Sequence, residues 1–130
     1  MEIKIAYQGE PGANSHIACK IYDENSQPVA LKTFDQVFYS LKNDDVDLAM
    51  IPIENSIAGR VSDIHRLMPT SDVHIIGESF LKVQHCLMSL KDSSIEDIKS
   101  VKSHEMALSQ CRKSIIELGL EPIVSADTAG

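Results

Sequence analysis

Thr33-Phe34-Asp35-Gln36-Val37-Phe38-Tyr39-Ser40-Leu41-Lys42, followed by Asn43-Asp44-Asp45-Val46-Asp47-Leu48-Ala49-Met50-Ile51-Pro52-Ile53, sets the fold class. Thr33 and Gln36 form a capping box, with the hydroxyl at the N-cap and the amide three residues on. Phe34, Val37, Phe38 and Leu41 then recur at i, i+3, i+4 and i+7, the apolar stripe of a helix. From Val46 to Ile53 the period disappears, and the run is nearly continuously apolar after Asp47. Such a run suits a strand buried on both faces, as in a parallel sheet. A helix feeding directly into a buried strand is the unit of an α/β fold.

The same alternation extends in both directions. Ile3 to Tyr7 reads as a strand that stops at Gln8-Gly9-Glu10-Pro11-Gly12. Asn14 or Ser15 is expected to cap a helix carrying Ile17, Ala18, Ile21 and Tyr22. Pro28 to Leu31 is a short strand. Beyond Ile53, a turn leads to a helix with Val61, Ile64, Leu67 and Met68 on its apolar side. Val73 to Leu90 is β-rich and broken at Gly77, long enough for two strands or for one that crosses between lobes. Ser100 to Lys102 is a strand, and Ser103 is expected to start a helix reaching about Leu118, closed by Gly119 at C′. Pro122 to Ser125 is a last strand, and Ala126 to Gly130 read as the turn into a further unit. The sequence is therefore expected to end before its fold does.

Composition removes several function classes. The 130 residues carry 12 basic and 19 acidic side chains, for a net charge of −7. That balance provides no basic footprint for nucleic acid. No apolar run approaches the roughly 18 residues of a membrane span, and Met1 to Ile5 do not open a secretory signal. Cys19, Cys86 and Cys111 form no Cys-x-x-Cys pair, which points to a reducing, cytoplasmic setting. His16, His65, His74, His85 and His104 show no zinc-ligand spacing, so no metal site is expected. Cys19 and Cys111 lie on apolar helix stripes and read as core.

Four turns occupy positions where parallel α/β sheets bind ligands, outside the carboxyl ends of strands. The first runs from Tyr7 to Ser15, where Gly9, Gly12 and the following helix start could hold an anion through backbone N–H groups; the plain alternative is a tight turn. The second is Pro52-Ile53-Glu54-Asn55-Ser56-Ile57-Ala58-Gly59. Here Glu54 could orient or protonate a hydroxyl and Asn55 can donate and accept, whereas the plain alternative has Asn55 or Ser56 capping the next helix. The third is Ser103 to Cys111. On one helix, residues seven apart lie within about 20° of each other, so Ser103 and Gln110 would share a face; alternatively they are a cap and a solvated side chain. The fourth, Asp127-Thr128-Ala129-Gly130, could hold an anion at a helix start and is weak as a motif.

In their order these turns are more specific than any one alone. Gln8-Gly9-x-Pro11-Gly12-x-x-Ser15, Pro52-Ile53-Glu54-Asn55-Ser56-x-x-Gly59, Ser103-His104-x-x-Ala107-Leu108-x-Gln110-Cys111 and Asp127-Thr128-Ala129 together closely resemble the catalytic domain of the prephenate dehydratase family, over residues 1–130. The resemblance implies an α/β, two-lobed fold like that of type II periplasmic binding proteins. Residues 1–75 would belong to the first lobe and 76–130 to an incomplete second lobe. It implies decarboxylating dehydration of prephenate to phenylpyruvate, in phenylalanine biosynthesis, within the inter-lobe cleft. Carried over by position, Glu54, Asn55, Ser103 and Gln110 are the catalytic candidates. Gly9, Pro11, Gly12, Ala13, Ser15, Ser56, Thr128 and Ala129 are the substrate-binding ones.

Two parts of the family's pattern are not in this sequence: the Thr-Arg-Phe motif, whose threonine is the favoured general acid, and the regulatory ACT domain. This chain alone is accordingly expected to show little turnover. Aromatisation drives the reaction, so no metal or redox cofactor is implied. The expected partner is the small-molecule substrate, with neither nucleic acid nor membrane, and a homo-oligomer is expected of the complete protein. Two alternatives stay open: arogenate as substrate, which shares these motifs, and a non-catalytic small-molecule binding module of the same fold.

Overall fold

The computed structural model describes residues 2–126 and 128. The chain divides into two compact units after Lys82. In the first, β1 (Lys4–Gln8), α1 (Asn14–Tyr22), β2 (Gln27–Leu31), α2 (Phe34–Lys42) and β3 (Leu48–Met50) succeed one another. The three strands are parallel, in the order β2-β1-β3. Tyr7 of β1 lies in register with Ala30 of β2 and Met50 of β3.

Alternation along β1 builds the core, because successive strand side chains leave opposite faces. Ile5 and Tyr7 pack with Cys19 of α1 and with Leu48 and Met50. Ala6, one residue out of phase, packs with Val37 of α2, Val46, Val29 and Leu31. The two helices therefore cover opposite faces of one sheet. Ile5, Ala6 and Tyr7 are at most 1% exposed, and full burial of a large apolar side chain stabilises by about 1.5–3 kcal/mol. Burial pushes the Tyr7 phenol up, with Cys19 and Glu10 adding to it, and the buried Cys19 thiol is pushed up to about 11.

The strand expected over Val46–Ile53 is shorter than that. Only Leu48–Met50 pairs, as an edge strand, and its residues are half-buried. The strand buried on both faces is β1, central in the sheet, with α1 packed on one face and α2 on the other. The expected Thr33 cap is present: Thr33 Oγ1 accepts from the Gln36 N–H at 3.2 Å. The returning arm of the box moves by one residue, with Gln36 Oε1 accepting from the Lys32 N–H at 3.0 Å. Asn14 and Ser15 do not cap α1; Ala13 occupies the N-cap without a side-chain bond.

After β3 comes a small antiparallel pair, β4 (Glu54–Asn55) and β5 (Gly59–Arg60), then α3 (Ser62–Leu67) continued by a 3-10 turn at Met68–Thr70. Ile64 of α3 is buried, and Arg66 pairs with Asp35 of α2 at 3.2 Å on the surface. From Asp72 to Leu90 no residue is in a strand, which corrects the one or two strands expected there. Ile75, Ile76, Phe80, Met88 and Leu90 are exposed. Composition gives this stretch strand propensity, but a strand also requires a partner edge for its N–H and C=O groups.

The second unit contains a 3-10 turn at Ile95–Asp97, β6 (Ser100–His104), α4 (Glu105–Gln110), α5 (Arg112–Glu117) and β7 (Glu121–Ser125). β6 and β7 are parallel, with Ser103 opposite Val124. Leu108, Ile115 and Leu120 form its core, with Ile98, Val101 and Cys111 against them. The single helix expected from Ser103 to Leu118 is two, parted where Cys111 leaves helical geometry at φ −95°, ψ 7°. Gly119 ends α5 as expected. Its φ of +64° lets its own N–H reach Ile116 O and the Leu120 N–H reach Ile115 O, both at 3.0 Å.

Candidate functional site

In the first unit, the strand order β2-β1-β3 reverses the direction in which the chain moves across the sheet. The chain passes to β2 on one side and then crosses to β3 on the other. The carboxyl ends of β1 and β3 are therefore a topological switch point, the place where open α/β sheets bind ligands. The Gln8–Ser15 turn leaves from β1, and the Pro52–Gly59 segment leaves from β3. Both loops therefore leave from the same end of the sheet, because two strands paired in parallel release their following loops on the same side.

The first loop is braced by a residue that the sequence reading did not select. His16 Nδ1 accepts from the Gly12 N–H at 2.8 Å, and its ring stacks on Tyr7, with centroids 5.6 Å apart and planes 12° apart. An accepting Nδ1 is unprotonated, so the neutral imidazole carries its hydrogen on Nε2. This brace uses the Gly12 N–H, and the Ala13 N–H donates to Glu10 O at 3.1 Å. Neither is free to hold an anion; the first-turn N–H groups of α1, from Asn14 onward, are the donors that a helix start leaves over. Gly9, Ala13 and Ser15 are half-buried here, and Pro11 and Gly12 exposed.

The second loop is tighter. Glu54 pairs with Arg60 and Asn55 with Gly59 across the β4–β5 ladder. Asn55 Oδ1 accepts from the N–H of Ile57 at 2.9 Å and of Ala58 at 3.0 Å. The side chain so caps its own turn, not the next helix, whose N-cap is Val61. Gly59, with φ +82°, closes the turn. Both contacts fall on Oδ1, and the amide nitrogen keeps its two N–H donors for something else. Asn55 is half-buried, while Glu54 and Ser56 are exposed.

In the second unit the site residues are placed differently than expected. Ser103 is half-buried in β6, paired in the ladder, not at a helix start. The helix begins two residues later, with His104 as N-cap, its Nδ1 accepting from the Met106 N–H at 3.2 Å. The seven-residue helical spacing of Ser103 and Gln110 consequently does not apply: one is on a strand and the other ends α4. Gln110 is half-buried, and its Oε1 lies 2.9 Å from Nε2 of His85. Nothing in the sequence marks His85 as that partner, 25 positions away. Thr128 is exposed; Ala129 lies outside the described residues.

Among the described residues no three His, Cys, Asp or Glu side chains gather as metal ligands would. No described helix is long and apolar enough to cross a membrane. Cys19 is buried, Cys86 exposed and Cys111 half-buried against the second core, and all three are free.

Residues 5–130 match the family model described as prephenate dehydratase. The chain is 42% identical to a bifunctional N-acyl-homoserine lactone acylase/prephenate dehydratase of Komagataeibacter europaeus, over 97% of this chain and 45% of that protein. It is 38% identical to an arogenate dehydratase/prephenate dehydratase of Arabidopsis thaliana, over 98% of this chain and 34% of that one. The crystal structure of the prephenate dehydratase from Staphylococcus aureus superposes with a TM-score of 0.78 at 27% identity, covering 95% of this chain and 47% of that one. The chain thus spans between about a third and a half of the length of these relatives. The α/β, periplasmic-binding-protein-like fold class read from the sequence is the class of this neighbour.

Proposed function

The chain belongs to the prephenate dehydratase family, and from that premise we propose that the protein containing it converts prephenate to phenylpyruvate. In this reaction the carboxylate on the ring leaves as carbon dioxide. The electron pair of the broken carbon–carbon bond enters the ring, the ring hydroxyl departs, and one added proton makes it water. The site must supply that proton and must hold a dianion in the pose from which it aromatises.

One observation carries the reading: the Asn55 hairpin at the switch point. With Oδ1 held by two backbone N–H groups, the amide can turn only its N–H donors outward. That is a neutral donor fixed before substrate arrives, which is the arrangement that stabilises developing charge without reorganisation. The net charge of −7 on these 130 residues does not gather a dianion by its field, so such local donors are what the site requires. Glu54, next in the chain and exposed, is assigned to the ring hydroxyl, since beside a carboxylate it would repel. Gly9, Pro11, Gly12, Ala13 and Ser15 form the rim, with Ser56 beside Asn55.

Ser103 and Gln110 complete the same proposal from the second unit, and Thr128 and Ala129 are assigned to substrate binding. Residues 1–75 and 76–130 are assigned to two lobes with the substrate between them. The protein works in the cytoplasm without metal or redox cofactor, as a homo-oligomer. The absence of a Thr-Arg-Phe motif from these residues means that the 130-residue chain tested alone turns over little.

The test is turnover by the purified full-length protein. Prephenate should yield phenylpyruvate. Faster conversion of arogenate to phenylalanine would move the substrate assignment to arogenate, the activity named for the Arabidopsis relative. A second reading is favoured by the 42% identity to a relative whose name includes N-acyl-homoserine lactone acylase. Release of free acid from an N-acyl-homoserine lactone, with neither dehydration detected, would favour it.

A further inference from the structure

We infer that His85 is the positioning residue for Gln110, deciding which end of its amide faces a ligand. The inference rests on the dehydratase reading above and adds a residue to it. A glutamine amide rotates about a broad, two-fold torsion, so an unheld Gln110 can present either its oxygen or its NH2. Here Oε1 is turned toward His85 Nε2 at 2.9 Å. An oxygen can only accept, so the imidazole donates from Nε2, and the Gln110 NH2 is directed away from the histidine.

Chemistry makes that direction matter. Prephenate offers two carboxylates, a ketone and a hydroxyl, so its charged groups can only accept. With the amide reversed, Gln110 would aim an oxygen at a dianion and repel it. Neutral imidazole with its hydrogen on Nε2 enforces the favourable direction, as does imidazolium. Only the Nδ1–H tautomer permits the reverse. His85 itself is exposed and Gln110 half-buried. A hydrogen bond so placed contributes little to folding, and its removal should be read in turnover before it is read in melting temperature.

The experiment is a double-mutant cycle in the full-length protein. His85→Ala should lower kcat/KM for prephenate about tenfold through kcat, by misplacing one donor, and shift the Tm by no more than about 2 °C. His85→Gln keeps an N–H donor near the place of Nε2 but also offers an acceptor, and should recover only part of the activity lost in His85→Ala. In a Gln110→Ala background, His85→Ala should add less than about twofold, because two residues acting through one interaction are not additive. Fully additive losses, or equal losses for His85→Ala and His85→Gln, overturn the inference. A parent protein that does not turn over prephenate overturns the dehydratase reading instead. Imidazole 15N spectra then still decide the pairing. A single Nε2–H tautomer that relaxes to a mixture in Gln110→Ala supports it, and a tautomer mixture in the parent overturns it.

Discussion

The loop after β3 and the end of α4 each present a polar amide, and they secure it by different means. Asn55 is held by two backbone N–H groups of its own turn, two and three residues ahead. Gln110 is held by one exposed side chain, 25 positions earlier. The first arrangement is local, so the residues that make it also make the turn, and it survives whatever happens elsewhere. The second depends on where a segment without regular structure comes to lie. A similar contrast separates β1, covered on both faces, from the stretch 72–90, where Ile75, Ile76, Phe80, Met88 and Leu90 are exposed. Positions fixed by local backbone or by a closed core are robust, and those fixed by a single distant partner are the ones to probe.

The sharpest break in that contrast is in stability. Ile5→Ala empties a site that is 1% exposed. Such a change costs about 2–5 kcal/mol, depending on how far the surroundings collapse. Ile76→Ala, at a side chain that is 71% exposed, should stay within about 0.5 kcal/mol. Urea titrations of the two variants check both values. A loss above 2 kcal/mol for Ile76→Ala would mean that this stretch is packed in the full-length protein.

The next effect is on turnover and separates the two functions of the Asn55 amide. Asn55→Asp keeps an acceptor for the Ile57 and Ala58 N–H groups and removes the NH2 donors. If those donors hold the substrate, kcat/KM for prephenate should fall about a hundredfold or more, with the Tm nearly unchanged. Asn55→Ala should lose the same activity and also about 1 kcal/mol of stability, from two backbone donors left without a partner. Wild-type kinetics for Asn55→Asp would confine the residue to holding its turn.

These same residues explain what was legible in the sequence. β1, α2 and the Gly119 stop follow from period, caps and one glycine, which are local signals. That the first two loops leave the same end of the sheet was legible as soon as the strands were read as parallel. Strand pairing is not local, and the errors collect there. The seven-residue spacing of Ser103 and Gln110 is meaningful only on a helix, and Ser103 instead joins a ladder whose partner, Val124, lies beyond the intervening helices. β3 is short, and 72–90 unpaired, because apolar composition shows that a segment can be a strand without showing which edge receives it. His16 offered a weak signal, since Gly12 and His16 are four apart at a helix start. His85 offered none.

The smallest effect tests the local kind of fixing at its simplest. Before the 3-10 turn at Ile95–Asp97, the Ser94 hydroxyl donates to Asp97 Oδ2 at 2.9 Å and the Ser94 N–H to the same oxygen at 3.1 Å. These bonds, the hydroxyl first and the backbone second, hold the Asp97 carboxyl below its ordinary 3.8. Both favour the ionised form, so the folded state releases this proton at lower pH than the unfolded chain does. The resulting stabilisation is present above the unfolded value and is lost as pH falls through the folded one. Ser94→Ala removes the stronger bond and leaves the backbone donor. The Asp97 pKa, followed by NMR through an acid titration, should therefore rise part of the way back toward 3.8. A full return would mean that the hydroxyl also holds the turn in which the backbone N–H points at the carboxylate. An unmoved pKa would overturn the assignment of the hydroxyl as the main cause and leave the Ser94 N–H as sufficient by itself.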